Sequence, residues 1–128
     1  MKKIVFPLLA ALIITTSCQT GKVTTALNQK EAGEVEEALT TINAAIDPQN
    51  EKTEKTINWP RTWEVRGEIY QSIYQSEDEA VKNLAENPLQ EALRSYKKAL
   101  ELDEDDKFGN SVKVKLTLLT NDFTNKAI

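Results

Sequence analysis

The sequence predicts an all-α protein, and three observations carry that expectation. Glycine and proline, the residues that punctuate turns, number only four each in 128 residues. Apolar residues recur at i, i+3, i+4 and i+7 in several stretches, the period of a helix that buries one face. Polar connections rich in Asp, Glu, Asn and Lys separate those stretches. The size suits one domain. Composition also closes off chemistries. With no histidine there is no Ser–His–Asp or Cys–His catalysis and no His-ligated zinc. A single cysteine excludes an intrachain disulfide, a Cys cluster and a CxxC redox pair. Sixteen basic against twenty acidic residues, a net charge of −4, argues against a nucleic-acid partner, which would call for a basic face.

In chain order, residues 1–17 read as an export signal: Met1-Lys2-Lys3 is the positive start and Ile4–Ile14 an apolar core interrupted only by Pro7. Eleven residues fall short of the ~20 needed to span a bilayer as a helix. Val23, Ala26 and Leu27 form a narrow stripe over Val23–Lys30, and Gly33 is expected to break the chain after it. The next helix carries Val35, Ala38, Leu39, Ile42, Ala45 and Ile46 on one face. A polar connection, Asp47–Asn58, precedes a helix striped by Trp63, Tyr70, Ile73 and Tyr74, with Gly67 on the same side. The connection Ser76–Pro88 contains Ala80, Val81, Leu84 and Ala85, enough for an added helical turn. Asn87 as cap, Pro88 at the first helical position and Gln90 as capping-box partner then open a helix striped by Leu89, Ala92, Leu93, Tyr96, Ala99 and Leu100. Lys107–Ile128 fits two periods. Val112, Leu116, Leu119 and Phe123 make a helical stripe, whereas Val112, Val114, Leu116 and Leu118 alternate as in a strand. We expect a helix.

Two resemblances sharpen this reading. Thr15-Thr16-Ser17-Cys18 resembles the bacterial lipobox, with Thr15 where leucine is usual. The resemblance implies cleavage before Cys18 and a covalent lipid on its sulfur, so that residues 18–22 become a tether and the protein is held on a membrane. Gln19 in place of Asp after the cysteine then implies the outer membrane, facing periplasm or surface. Processing would leave 111 residues and, with Lys2 and Lys3 removed, a side-chain charge of −6.

Residues 36–47 (EEALTTINAAID) and 90–101 (QEALRSYKKALE) match each other, and Ala38, Ile42 and Ala45 of the first correspond to Ala92, Tyr96 and Ala99 of the second. The spacing is similar to the second helix of a tetratricopeptide repeat (TPR). Trp63-x2-Arg66-Gly67-x2-Tyr70 resembles its first helix, with Arg66 in place of leucine. The resemblance implies antiparallel helix pairs stacked as a short solenoid of five to six helices: repeat 1 over about 23–47, repeat 2 over about 60–103 with an insertion at 76–88, and a terminal helix at about 110–127. Ala38 and Ala92 are 54 residues apart where the repeat takes 34, and both excesses fall in the two polar connections. Small residues would let helix axes approach, and Trp63, Tyr70 and Tyr96 would fill the remaining grooves.

Functional expectations follow. The resemblance implies a concave face carrying Arg61, Glu64, Glu68, Gln71 and Ser72 for a basic or polar partner. Glu64 and Glu68 also form an i,i+4 carboxylate pair, either on a solvated face or, as an alternative, in a small envelope hydrolase or lyase. Asp103–Asp106 invites calcium, but Lys107 at the fifth ligand position and Gly109 at the seventh break the EF-hand spacing, so no metal is expected. The expectation is a non-enzymatic, lipid-anchored interaction module or scaffold of the bacterial cell envelope. It has no cofactor beyond the lipid on Cys18, and its partner is an envelope protein or peptide. A glycan- or small-ligand-binding lipoprotein is a further alternative.

Overall fold

A computed structural model of the chain describes residues 20–127, and all their regular structure is helical. Residues 1–19, with the expected export signal, Cys18 and Gln19, lie outside the described residues. In order, the helices are α1 (20–31), α2 (Val35–Ala44), a 3-10 turn (Glu51–Thr53) running into α3 (Glu54–Ile57), α4 (Pro60–Gln75), α5 (Glu79–Lys82), α6 (Pro88–Leu102) and α7 (Gly109–Lys126). The chain is already helical at residue 20, so the stretch expected as tether runs into α1 rather than stopping at residue 22.

Gly33 breaks the chain through its backbone. At φ +84° it takes the left-handed conformation, and the amides of Gly33 and Glu34 turn back to the carbonyls of Lys30 and Gln29, at 3.1 and 2.8 Å. These are the paired bonds that close a helix whose C′ residue is glycine.

Apolar stripes become the core as their period dictates. Val23 and Ala26 from α1, Ala38 and Ile42 from α2 with Ala45 just after it, and Val65, Ile69, Tyr70 and Ile73 from α4 are buried together. Leu89, Ala92, Tyr96 and Ala99 from α6 and Val112 and Leu119 from α7 complete the cluster. Trp63 lies at its margin, half-buried, its indole N–H donating to the Ile57 carbonyl at 2.8 Å.

Helix α4 is central. Its most extensive contact is with α6, and α2 packs beside it. Arg66 in mid-α4 reaches Ser95 in mid-α6, while Ile73 and Tyr74 near the end of α4 lie beside Pro88 at the start of α6, so these two helices are antiparallel. Glu64 meets Ser111 and Lys115, Glu68 meets Lys115, and Gln71 and Gln75 meet Asp122, so α7 runs parallel to α4.

Both connections are folded. In the first, Thr56 Oγ donates to the carbonyl of Ala45 at 2.6 Å, and Thr53 Oγ donates to those of Asp47 and Asn50 at 2.7 and 2.8 Å. The two threonines are buried, and Thr56 satisfies a carbonyl that the end of α2 would leave orphaned. In the second, Asp78 caps α5 by accepting the Ala80 amide at 2.9 Å. Helix α6 begins at Pro88 as expected, but the capping box does not form: Asn87 has ψ 64°, outside the extended range such a cap needs, and its side chain makes no capping bond.

The acidic run after α6 is a turn. Asp103 accepts the amides of Lys107 and Phe108 through its two carboxylate oxygens, at 3.0 and 2.9 Å, and Asp106 sits at φ +52°. We predict that Asp103→Ala lowers stability by about 1–2 kcal/mol, because the Lys107 and Phe108 amides lose a charged acceptor. Thermal unfolding reads this directly, and an unchanged midpoint would show that the turn holds without that carboxylate.

Helix α7 settles the ambiguity of the last segment. Val112 and Leu119 are buried and Leu116 and Phe123 partly so, while Val114 and Leu118 point outward.

Candidate functional site

The residues expected on one face of α4 are brought together, and α7 covers part of that face. Glu64 is fully buried, contrary to the solvated face expected for it. One of its carboxylate oxygens accepts from Ser111 Oγ and Lys115 Nζ on α7, and the other accepts from Arg61 at 2.6 Å. Lys115 also pairs with Glu68 at 2.8 Å, so a single ammonium bridges both acids. The second Glu68 oxygen is buried without a hydrogen-bond partner.

One helical turn further on, Gln71 is nearly buried and links three helices. Its carbonyl oxygen accepts from the Tyr96 hydroxyl of α6 at 2.9 Å, and its amide nitrogen donates to Asp122 of α7 at 2.8 Å. Gln75 donates to the same Asp122 oxygen at 2.9 Å, and the Tyr74 hydroxyl donates to the Asp122 carbonyl at 3.3 Å. Ser72 donates to the Glu68 carbonyl of its own helix at 3.0 Å. The polar face of α4 is therefore largely spent inside the molecule, on α7.

Electrostatics follow the contacts. Burial is the largest single influence on Glu64 and by itself would raise its carboxyl pKa. Hydrogen bonds from Lys115, Ser111 and Arg61, with the Lys115 charge, together outweigh it and hold the group below its ordinary value of 4.5. A general acid at neutral pH needs the opposite shift. Tyr96 is pushed up, first by burial and then by the negative charges of Glu68, Glu64 and Asp122, so its hydroxyl stays a donor to Gln71.

Arg66, the departure from the repeat pattern, was assigned no role from sequence. Its guanidinium lies 4.7 Å from the Tyr70 ring centre and 5.8 Å from that of Trp63, within cation–π range. It donates to Ser95 at 2.8 Å and to Asn43 at 3.2 Å, and contacts Glu91 at 3.4 Å. It thus ties α2, α4 and α6. The signal for this was in the chain: Glu91 and Ser95, an i,i+4 pair, face the position where leucine would stand.

Beside the end of α4, the second connection walls an open cleft of about 510 Å3. Ile73, Tyr74, Ala85 and Pro88 form its apolar part, and Lys82 and Lys126 stand among its charged residues. Among the described residues no helix is long and apolar enough to cross a membrane. Neither a family model, a curated protein nor a solved structure matches this chain.

Proposed function

We propose that this protein is a lipid-anchored, TPR-like interaction module of the bacterial cell envelope, built to hold an envelope protein or peptide rather than to catalyse a reaction. The observation that carries the proposal is the way the sequence match and the helix directions coincide. The two matching segments fall in α2 and α6, and the Trp63–Tyr70 pattern falls in α4, the helix between them in the chain. Helix α6 runs antiparallel to both α4 and α7, which are parallel to each other, as alternating helices of a stacked-pair array would be. The state of Glu64 supports binding over acid–base work, since both its oxygens are occupied by donors and its proton is held off. Anchoring rests on the sequence around Cys18.

Two measurements test this. Cells making the full chain should incorporate labelled fatty acid at Cys18, and Cys18→Ala should abolish the label and release the chain from the membrane fraction. Label retained by that variant would overturn the anchoring. A photo-crosslinker at Ser72, near the end of α4, should capture a discrete envelope protein in the anchored chain. No adduct in anchored chains would overturn the interaction reading.

A further inference from the structure

Helix α7 differs in kind from the helices it packs on. Of its eighteen residues, twelve are Gly, Asn, Ser, Val, Thr, Asp or Phe, which favour the helix least. Beyond Pro88 at its first position, the fifteen-residue α6 has only two such residues, Ser95 and Tyr96. Helix α7 buries two large apolar side chains, Val112 and Leu119, where the shorter α4 buries four, Val65, Ile69, Tyr70 and Ile73. What holds α7 to α4 is polar instead: Ser111 and Lys115 meet Glu64 and Glu68, and Asp122 meets Gln71 and Gln75. Such groups regain hydrogen bonds from water when they separate, so parting them costs little net free energy. The docked state also leaves the second Glu68 oxygen buried without a partner, a cost that opening removes. Weak helix propensity, little apolar burial and a polar seam are the marks of an element that opens before the rest of a fold.

On the reading of this chain as an interaction module, we infer that α7 is a releasable strap: it undocks as a unit while α4 and α6 stay folded, and a partner helix binds the face of α4 that it uncovers. The face expected to take a basic or polar partner is filled by the chain's own Lys115, set between Glu64 and Glu68. Helix α7 thus stands in for the partner, and its contacts define what the partner must carry. Glu64, Glu68, Gln71 and Gln75, spaced 4, 3 and 4, form one row along α4. That row takes a hydroxyl and an ammonium four residues apart, and a carboxylate seven residues further on, as Ser111, Lys115 and Asp122 supply them. A partner helix with a lysine or arginine over the two glutamates and an acid over the two glutamines fits the same row. A wholly acidic helix would meet like charge at Glu64 and Glu68. Undocking takes Val112 and Leu119 out of the core, so the closed form predominates and a partner meets only the open fraction, with its apparent affinity lowered accordingly.

Hydrogen exchange read by mass spectrometry on the full chain, purified in detergent, tests the opening. The amides of residues 109–126 should exchange together, about tenfold or more faster, relative to their unfolded-chain rates, than those in the middle of α4 and α6. Equal protection of the three helices would overturn the strap. A fluorescent synthetic peptide of residues 107–127 tests the uncovered face. Its anisotropy should rise as full chain is added, and the same peptide with Lys115→Glu should bind about tenfold or more weakly. No binding, or equal binding by both peptides, would overturn the assignment of that face. Neither measurement uses an envelope protein, so failure of the strap and failure of the interaction reading, which the Ser72 adduct tests, are told apart.

Discussion

Glu64→Gln should cost about 2–3 kcal/mol of stability and loosen α7 before the rest of the fold. Breaking one side of a buried ion pair usually costs about 3–5 kcal/mol. The lower figure applies because Lys115 is 20% exposed and Arg61 30% exposed, so both can turn partly to water. The pH dependence has a definite sign. Glu64 has a folded pKa below its ordinary 4.5, so its contribution is complete above that value and fades as pH falls through the folded value. Protonated Glu64 resembles glutamine. The gap in melting temperature between the native chain and the variant should therefore be widest near neutral pH and narrow as the solution is acidified below 4.5. A gap that stays constant over that range would show that the carboxylate charge is not what holds α7.

Gly67→Ala should destabilise the protein by about 2 kcal/mol, or roughly 10 °C in melting temperature. On helix propensity alone the same change would stabilise by about 1 kcal/mol, so the sign discriminates. A Cβ at Gly67 would stand 2.6 and 2.8 Å from Tyr96 Cδ1 and Cζ, and closer still to Cε1. The ring has nowhere to go: Tyr96 is fully buried and its hydroxyl is held by Gln71. Overpacking of this kind costs about 1–3 kcal/mol, and a rigid neighbour puts it near the top of that range. Tyr96→Leu in the same chain should relieve more than half the Gly67→Ala penalty, a coupling that a double-mutant cycle measures. A stabilising Gly67→Ala would mean that α4 and α6 can move apart freely, and a penalty that Tyr96→Leu leaves intact would mean that the Tyr96 ring is not what opposes the added methyl.

How far the sequence could be read depended on whether a feature was local. The stripe Ala38, Ile42, Ala45 and its counterpart Ala92, Tyr96, Ala99 were legible because helix period and burial are properties of a few neighbouring turns, and the six residues are buried. Gly33 was legible for the same reason. The seam between α4 and α7 was not. Glu64 and Glu68 look alike in the chain, four residues apart on one helix. Which of them is buried depends on where Ser111 and Lys115 arrive, some fifty residues later. Asp103 stood out as part of an acidic run, but not as the carboxylate that holds the Lys107 and Phe108 amides.

By itself the sequence determined that the domain is helical and where its main helices lie, because apolar period and turn residues act over short range. It also confined the chemistry, because a chain without histidine and with one cysteine cannot supply certain groups. The tertiary structure alone decided what the polar side chains do. Glu64, Gln71 and Arg66 were candidates for an open face or unassigned, and each is occupied by a partner from another helix. The physical reason is that a charge or amide takes its energy from what stands within about 3 Å of it. In this chain those neighbours are brought in by packing over long stretches of sequence.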